Sequence, residues 1–250
     1  MKVSISYPPL ADDKGVPLLA QNRQFQWFSE PTYIYPMVGA YAATLLSQAG
    51  YDVLWDDALA QEKSYPKWLN SVERESPDII VIETKTPVVK RHWRIINDVK
   101  ERIPETNVVL VGDHVTALPS ESLENSKVDY VLCGGDFDFL LLNLVKYLNG
   151  KAKVLEHGIW FKQNGEMRNT GQFDLNHDLN SLPFIDRDLT NWRLYSEKNG
   201  NYKRTPGTYT MVGRDCWWHK CSFCAWTVLY PNFRARSPQS LVEEIGTLIE

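Results

Sequence analysis

The sequence contains little cysteine and no long hydrophobic run. Only four of its 250 residues are cysteine, and three of them are clustered at ligand spacing, which fits a reducing cytoplasm better than a disulfide framework. No apolar stretch approaches the ~20 residues that a membrane-spanning helix needs. The opening segment, MKVSISYPP, lacks the basic start and long apolar stretch of a signal peptide. We therefore expect a cytoplasmic protein without a membrane partner.

Neither sign of charge is in large excess. The chain has 27 basic and 31 acidic residues and a formal net charge of −4. These charges are interspersed, so no basic patch marks a nucleic-acid surface, and we expect no nucleic-acid partner. Hydrophobic residues make up 43% of the chain and aromatic residues 12%, which is enough for one large packed core or two smaller ones.

A dinucleotide-type Gly-x-Gly-x-x-Gly motif is missing after the first predicted strand. Residues 1–150 instead alternate short β-branched runs with longer segments of helical period, which is typical of βαβ units. We predict an α/β fold with a doubly wound, five-stranded, Rossmann-like parallel sheet. The predicted strands are residues 2–7, 52–55, 78–82, 107–111 and 130–133, and the predicted helices are residues 36–49, 65–75, 88–102, 119–125 and 137–148.

The loops that follow these strands are the informative ones, because ligands of open parallel sheets bind outside the carboxyl ends of the strands. The first such loop, residues 8–32, is unusually long, which indicates either a functional flap or disorder. Later loops carry Gly112 and the pair Gly134-Gly135 before helices, where backbone N–H groups could face a phosphate. From spacing alone, a packing role for these glycines is the favoured interpretation.

The pattern changes after residue 150. Residues 158–168 predict a β-hairpin with Asn164-Gly165 as its turn, within a linker at residues 151–205. A further strand at residues 208–212 and a helix at residues 238–249, with Ser237 as its N-cap, form a third segment at residues 206–250. Arg214 and Arg236 in this segment could contact a ligand or a neighbouring domain, but surface pairing is the default for arginine.

Three of the four cysteines, Cys216, Cys221 and Cys224, lie within one short loop. Three thiolates can hold three irons of a [4Fe–4S] cluster and leave the fourth iron open. A structural zinc site needs four ligands, and His219 could supply the fourth, so zinc remains the alternative. Cys133 ends a predicted buried strand and is interpreted as a small core residue.

Several of these motifs together resemble a known family. The strand, the cysteine loop with an aromatic residue before its last cysteine, and the helix opened by RSPQSLVEEI resemble the start of a radical SAM barrel. The N-terminal half resembles the cobalamin-binding domain that precedes the barrel in B12-dependent radical SAM enzymes. The segments that carry this resemblance are PP at 8–9, GDHVT at 112–116, VDYV at 128–131 and LPFIDRD at 182–188.

The resemblance implies a set of cofactors and site residues. Cys216, Cys221 and Cys224 would ligate the [4Fe–4S] cluster, S-adenosyl-L-methionine (SAM) would chelate its open iron, and Phe223 would pack near the adenine of SAM. The residues implied to contact cobalamin are Pro8, Pro9, Glu83, Thr84, Gly112, Asp113, His114, Thr116, Gly134 and Gly135.

The resemblance also implies an activity, which is methyl transfer to an unactivated carbon of a small molecule or natural product. A 5′-deoxyadenosyl radical would activate the substrate, and an external donor such as flavodoxin or ferredoxin would supply the electron. The alternatives are a cobalamin-dependent cyclase or rearrangement enzyme and a non-catalytic cobalamin- or metal-binding fragment. For the first domain alone, a nucleotide-binding or purely structural sheet also remains open.

The sequence departs from the family pattern at four points. One is the turn after the fifth strand, where GGDFD at 134–138 stands in place of the glutamate-rich turn common in the family. The cysteines have the spacing C-x4-C-x2-C rather than C-x3-C-x2-C, so either the loop must bulge or the cluster register must differ. The Asp-x-His-x-x-Gly motif of a histidine-ligated cobalamin is incomplete, because Ala117 and Leu118 follow Thr116 where a glycine is needed. Cobalamin is therefore expected to have no histidine ligand. The chain is also expected to be a truncated form that stops after the first βα unit of the barrel.

Overall fold

A computed structural model describes residues 1–10, 14–19, 25–214, 216–224, 226–230 and 232–249. Parts of the long first loop, at residues 11–13 and 20–24, lie outside the described residues. The strands are β1 Lys2–Tyr7, β2 Val16–Pro17, β3 Trp27–Phe28, β4 Asp52–Asp57, β5 Ile79–Glu83, β6 Asn107–Val111, β7 Tyr130–Leu132, β8 Ile159–Gln163, β9 Glu166–Asn169, β10 Gly213–Arg214 and β11 Arg234–Ala235.

The α-helices agree closely with the periodicity of the sequence. They are α1 Met37–Gln48, α2 Tyr65–Glu75, α3 Val89–Arg102, α4 Asp113–Ala117, α5 Pro119–Asn125, α6 Phe137–Leu148, α7 Trp226–Leu229 and α8 Pro238–Ile249. Helix α1 packs against α6, while α3 packs against α2 and α5. Because parallel crossovers are right-handed, these two sets cover opposite faces of the sheet, as a doubly wound fold requires.

The main sheet has seven strands in the order β4-β1-β5-β6-β7-β8-β9. Its first five strands are parallel and correspond to the five predicted strands, but the expected count of five is too low. The hairpin of β8 and β9, expected in the linker, adds two antiparallel strands, with Trp160 opposite Val131. Pairing with β8 satisfies the backbone groups that the edge of β7 would otherwise expose.

The order of the parallel strands places a crevice between β1 and β5. The chain passes from β1 to one neighbour, β4, and then crosses back to the other neighbour, β5. Helices that leave the carboxyl ends of β1 and β5 therefore run to opposite faces of the sheet, and the ends of these two strands border an open crevice. The site described below lies along this carboxyl edge.

The C-terminal segment differs from the prediction in its strand. Residues 208–212 were expected to form a strand, but ladder pairing begins only at Gly213, where β10 pairs antiparallel with β11. The predicted strand is wrong because residues 208–212 have no partner strand among the described residues; only the next two residues, Gly213 and Arg214, have one. The helix α8 begins as predicted, with Ser237 Oγ accepting from the Ser240 backbone N–H at 3.2 Å.

None of the helices described is both long enough and apolar enough to cross a membrane.

Candidate functional site

Tyr7 and Glu83 meet at the crevice between β1 and β5. They end these two neighbouring strands, so both side chains reach the carboxyl edge of the sheet. The Tyr7 hydroxyl donates to Glu83 Oε2 at 2.9 Å, and both side chains are buried. Burial raises the pKa of Glu83 to about 7, although Lys85 and the Tyr7 hydrogen bond oppose that rise. The crevice thus holds a carboxyl group that can exchange a proton near neutral pH.

A second buried carboxyl group ends β4. Asp57 accepts hydrogen bonds from Tyr195 Oη at 2.7 Å and from the Ala60 backbone N–H at 2.9 Å. The Tyr195 hydroxyl in turn accepts from Trp55 Nε1 at 3.0 Å. Burial raises the pKa of Asp57 to about 6. Asp57, Tyr195 and Tyr7 line a cavity of about 30 Å³, which is large enough for a water molecule.

Lys85 and Asp113 face each other across the ends of β5 and β6. Lys85 Nζ lies 3.4 Å from Asp113 Oδ2, and the lysine side chain is 2% exposed. Asp113 Oδ1 is buried and has no hydrogen-bond partner among the residues that the structure describes. A carboxylate oxygen buried in this state can accept a hydrogen bond from a ligand N–H group.

Thr116 joins the glycine-containing turns that follow β6 and β7. Its Oγ1 donates to Gly112 O at 2.7 Å and accepts from the Gly134 N–H at 2.9 Å. Gly112 has φ of +114°, and a Cβ there would lie 2.3 Å from Thr84 O, so this close approach requires glycine. Four of the residues implied to contact cobalamin, Thr84, Gly112, Thr116 and Gly134, are therefore neighbours in the fold.

His114 points into the protein. The residue is 4% exposed, with Nδ1 3.2 Å from Thr86 Oγ1 and Nε2 2.9 Å from Glu121 Oε2. Its ring also packs edge-on against Trp93. Both ring nitrogens face protein oxygens, and the expectation that His114 does not ligate cobalt stays a prediction.

Three residues implied to contact cobalamin, Thr84, Pro8 and Pro9, lie at the carboxyl ends of β5 and β1. Thr84 is fully buried, and its Oγ1 lies 2.7 Å from His92 Nδ1. Burial lowers the pKa of His92 to about 3, so this imidazole is neutral. Pro8 is buried and Pro9 half-buried immediately after β1.

Gly134 and Gly135 are covered by the rest of the chain. A Cβ on Gly134 would lie 2.6 Å from the Phe173 ring, and a Cβ on Gly135 would lie 1.8 Å from the Tyr230 ring. The Gly135 N–H donates to Leu229 O at 3.0 Å, and Tyr230 Oη donates to Gly135 O at 3.1 Å. This turn therefore docks the segment that follows the cysteine loop, and its role as a cobalamin contact stays a prediction.

The three clustered cysteines lie on the loop between β10 and α7. All four cysteines of the chain are thiols rather than disulfides, and Cys216, Cys221 and Cys224 are half-buried. The Cys224 N–H donates to Cys221 O at 3.2 Å. Within the described ranges, no three Cys, His, Asp or Glu side chains converge closely enough to hold a metal ion. The donor set suits an iron–sulfur cluster, but the loop would have to draw the three thiols together to bind one.

The loop turns sharply between its first two cysteines. His219, between the first two cysteines, has φ of +49°, a left-handed conformation that turns the chain within the gap. Phe223 and Trp217 are 71% and 77% exposed. Phe223 is therefore accessible to a ligand, and its predicted contact with the adenine of SAM stays a prediction.

Buried ion pairs fasten the cysteine loop to the first domain. Arg214, in β10, donates to Asp136 Oδ1 at 2.8 Å and to Asp138 Oδ1 at 2.9 Å. Arg234, in β11, makes two 2.7 Å hydrogen bonds to the carboxylate of Asp136. Burial opposes ionisation of Asp136, but Arg234, His177 and Arg214 outweigh this effect and lower its pKa. The two short strands on either side of the loop are thus tied to the start of α6.

His177 extends this network into the linker. Its Nδ1 lies 3.3 Å from Asp136 Oδ2 and its Nε2 3.0 Å from Glu156 Oε2. The ring stacks on Phe139 with centroids 4.2 Å apart. Burial lowers the pKa of His177, but the two carboxylates outweigh it and raise the pKa to about 9. His177 is therefore a cation at neutral pH.

A second buried network of ion pairs and hydrogen bonds holds α8 in place. Arg236 pairs with Glu244 and also donates to Tyr41 Oη at 3.2 Å and to Ser240 Oγ at 2.9 Å. Glu244 further accepts from Arg187 Nη2 at 3.2 Å. Arg214 and Arg236 are 2% and 5% exposed, so the default of surface pairing is wrong for both arginines.

Sequence reasoning missed Tyr7, Asp57, Lys85 and Tyr195. The first two end strands at the carboxyl edge, so the rule that directed attention to strand-end loops could have found them if applied to the last strand residue as well. Tyr195 comes from the linker, 138 positions from Asp57. No local pattern in the sequence marks that contact.

Comparison with known proteins supports the resemblance seen in the sequence. No family model matches the chain. The chain is 27% identical over 216 residues to the anaerobic magnesium-protoporphyrin IX monomethyl ester cyclase of Cereibacter sphaeroides. The aligned region covers 84% of this chain and 34% of the cyclase. The chain thus spans about a third of the length of this curated relative.

Solved structures match the fold. The cobalamin-dependent SAM radical enzyme OxsB, with aqua-cobalamin and SAM bound, gives a TM-score of 0.73 at 14% identity over 98% of this chain and 31% of that chain. TsrM of Kitasatospora setae, a radical SAM methyltransferase with cobalamin and a [4Fe–4S] cluster bound, gives 0.60 at 19% identity over 86% of this chain and 43% of that chain. The expected resemblance to cobalamin-dependent radical SAM enzymes is confirmed.

Proposed function

We propose that this chain is the cobalamin- and cluster-binding part of a cobalamin-dependent radical SAM enzyme that transfers a methyl group to an unactivated carbon of a small molecule. The observation that supports the proposal is the docking of the segment that follows the cysteine loop, at Leu229 and Tyr230, on the turn after β7. Because that turn lies at the carboxyl edge of the sheet, the proposal has the three thiols near the same edge as the crevice between β1 and β5. In the proposal, residues 1–150 bind cobalamin and residues 206–250 contain the cluster loop. Residues 151–205 are the linker between these two parts.

Cys216, Cys221 and Cys224 would hold the cluster. When bound, the cofactors would supply a SAM-derived radical at the cluster and a methyl group from cobalamin, with an external reductant such as flavodoxin or ferredoxin. The contribution of the chain is positional, because the ion pairs of Arg214 and Arg234 with Asp136 fix both ends of the cysteine loop. Phe223 is exposed and free to cover the adenine of SAM.

The carboxyl edge of the sheet has acceptors suited to cobalamin. The corrin ring carries amide side chains, whose N–H groups could satisfy the buried oxygen Asp113 Oδ1. Pro8 and Pro9 limit the flexibility of the loop after β1. Glu83 and Asp57, with pKa values raised by burial to about 7 and about 6, would exchange protons within the crevice. His114 is held by Thr86 and Glu121, so it would leave cobalt without a histidine ligand.

A cobalamin-dependent cyclase is the second candidate. The relative that matches 216 residues of this chain is named as an anaerobic cyclase, and the two candidates share the same cofactor domains. They differ in the fate of the methyl group of SAM. Isotope-labelled SAM therefore distinguishes them, since label in the product supports methyl transfer, and deoxyadenosine formed without label in the product supports the cyclase.

The experiment that tests the proposal is anaerobic reconstitution of the chain with iron, sulfide and cobalamin, followed by absorbance spectroscopy and metal analysis. We expect corrin bands, a broad iron–sulfur absorbance and about four irons per chain. One equivalent of zinc without iron would contradict the cluster and support a zinc site that includes His219. Cobalamin binding without SAM cleavage, after addition of reduced flavodoxin, would support a non-catalytic binding module instead.

A further inference from the structure

Three aromatic side chains, Tyr35, Tyr195 and Trp55, contact one another in a row. The ring centroids of Tyr35 and Tyr195 are 5.0 Å apart, and Trp55 Nε1 donates to Tyr195 Oη at 3.0 Å. Tyr35 lines a cavity of about 320 Å³ that Trp226, two residues after Cys224, also lines. Trp55 is half-buried on β4, an edge strand of the main sheet. The row therefore leads from the side of the cysteine loop to the edge of the sheet.

Tyr195 is the member of this row whose hydroxyl faces a proton acceptor. It donates to Asp57 Oδ2 at 2.7 Å, which is within the reach of a general base. Burial raises the pKa of Asp57 to about 6, so most of this carboxyl group is ionised at neutral pH. The Tyr35 hydroxyl pairs instead with the Thr190 hydroxyl, which is too weak a base to take a proton. Loss of an electron from Tyr195 can therefore be accompanied by transfer of its proton to Asp57.

A second tyrosine with a carboxyl partner also contacts Trp55. The ring centroids of Tyr7 and Trp55 are 6.1 Å apart, and the Tyr7 hydroxyl donates to Glu83 Oε2 at 2.9 Å. Both centroid separations lie within the ~4.5–7 Å of direct aromatic contact. Phenol and indole rings give up an electron more readily than aliphatic side chains do. Rings in contact, with carboxyl groups at the phenols, thus offer short steps for an electron and nearby acceptors for the protons.

We propose that Tyr195 is a redox-active residue, with Asp57 as its proton acceptor and Trp55 as the residue that returns its electron. A one-electron oxidant near the cysteine loop takes an electron from Tyr195 through the Tyr35 ring, while the Tyr195 O–H bond breaks and the proton binds to Asp57. Trp55 then gives an electron to Tyr195, and the proton returns from Asp57 to the phenol oxygen. A thiol in solution reduces the Trp55 radical cation, loses its own proton and becomes a thiyl radical, and two thiyl radicals combine to a disulfide.

The row would carry oxidising equivalents away from the cysteine loop. Hydroxyl radical, formed when ferrous iron reduces peroxide, is an oxidant of the required class and becomes hydroxide when it gains an electron. This protective role rests on the proposed function, because it needs iron bound at the loop. The redox activity of Tyr195 does not, since the rings and the carboxyl group all belong to this chain.

A photo-oxidant attached to the cysteine loop tests this route in the cofactor-free chain. In a variant with Cys216→Ser and Cys221→Ser, a ruthenium polypyridyl maleimide should react with Cys224, because Cys133 is buried. A laser flash with a cobalt(III) quencher generates the oxidant, and we expect a long-lived tyrosyl radical in the absorbance and EPR spectra. The radical should form more slowly in deuterium oxide, because an O–H bond breaks in the step. Absence of a tyrosyl radical, or equal rates in the two solvents, would overturn the proposal.

Variants in the same labelled chain locate the radical. Tyr195→Phe should abolish the signal, and Asp57→Asn should slow its formation about a hundredfold, an effect expected of a positioned base. Trp55→Phe should prolong the radical, while Tyr147→Phe, at an exposed position of α6, should change nothing. A full signal in Tyr195→Phe or an unchanged rate in Asp57→Asn would overturn the assignment, and the isotope effect, which needs no substitution in the row, still decides it if a variant fails to fold. Because no cofactor is present, these results do not depend on the proposed function.

Discussion

Tyr230 packs on Gly135 and hydrogen-bonds to it across the junction between the first domain and the cysteine loop. Tyr230 Oη donates to Gly135 O at 3.1 Å, and the Gly135 N–H donates to Leu229 O at 3.0 Å. The tyrosine ring lies directly over the glycine, where no Cβ can fit. This contact joins the turn after β7 to α7, which begins two residues after Cys224. It therefore fixes the cysteine loop relative to the carboxyl edge of the sheet.

Gly135→Ala should disrupt the contact between Tyr230 and Gly135. The added Cβ would lie 1.8 Å from the Tyr230 ring, so either the turn or α7 must move, at a cost of about 1–3 kcal/mol. Chemical denaturation should show the loss of stability, and hydrogen exchange should show faster exchange in residues 226–230. Gly246→Ala is the control, because its Cβ would meet nothing within 4 Å in α8. That variant should gain roughly 0.5–1 kcal/mol. Equal stability of the Gly135→Ala variant and the wild type would contradict the close packing of Tyr230 on Gly135.

Asp138→Asn should destabilise the chain strongly. Asp138 and Arg214 are both fully buried and are joined by two hydrogen bonds. Without the Asp138 charge, buried Arg214 keeps only Asp136, which it shares with Arg234, so its charge is only partly balanced. Loss of one partner costs about 3–5 kcal/mol in comparable buried pairs. The free energy of unfolding measures the effect. Asp188→Asn removes the exposed partner of Arg193, and this control should unfold like the wild type. A similarly small effect at Asp138 would show that the pair is not buried.

The sequence predicted most of the secondary structure because its segments are long and strongly periodic. Residues 65–75, 119–125 and 137–148 were predicted as helices with the bounds that the structure shows. The hairpin turn at Asn164-Gly165 was also correct, since both residues have positive φ, as a two-residue turn requires. That the hairpin pairs with β7 could not be predicted, because the local pattern of a hairpin does not identify its neighbour in a sheet.

The candidate site was predicted less completely than the fold. The strand-end rule located Glu83, Gly112 and Asp113 at one edge of the sheet, where the structure places them. The burial of Arg214 depends on Asp136 and Asp138, which lie 78 and 76 positions away. A single sequence contains no signal for such long-range pairing, so surface exposure was the natural but incorrect expectation.

Glu83 should make the protein less stable as pH rises toward 8. Burial raises its pKa from 4.5 to about 7, so the fold favours the protonated carboxyl. Its contribution is fully present below pH 4.5 and is lost as pH rises through about 7, a change of up to about 3 kcal/mol. Glu83→Gln mimics the neutral form and should lose less stability than the wild type between about pH 5 and 8.

Denaturation curves at several pH values measure this difference directly. His177, whose pKa is raised to about 9, adds its own loss of stability above pH 6.5, but this loss is common to both proteins and cancels in the comparison. Glu73→Gln, which alters an exposed pair with Arg102, should keep the pH dependence of the wild type. Parallel curves for the wild type and the Glu83→Gln variant would show that Glu83 is ionised in the fold.

Replacement of single cysteines separates a cluster from a zinc site. Cys216→Ala, Cys221→Ala and Cys224→Ala should each lower the iron bound after anaerobic reconstitution from about four per chain to a small fraction, because the cluster would keep only two protein ligands. Cys133→Ala is the matched control, since that thiol is buried in the core and should not affect iron. His219→Ala discriminates further, because a cluster held by three thiolates should keep its iron, whereas zinc held by three cysteines and His219 would bind much more weakly. Retention of iron by all three loop variants would exclude this loop as the cluster site.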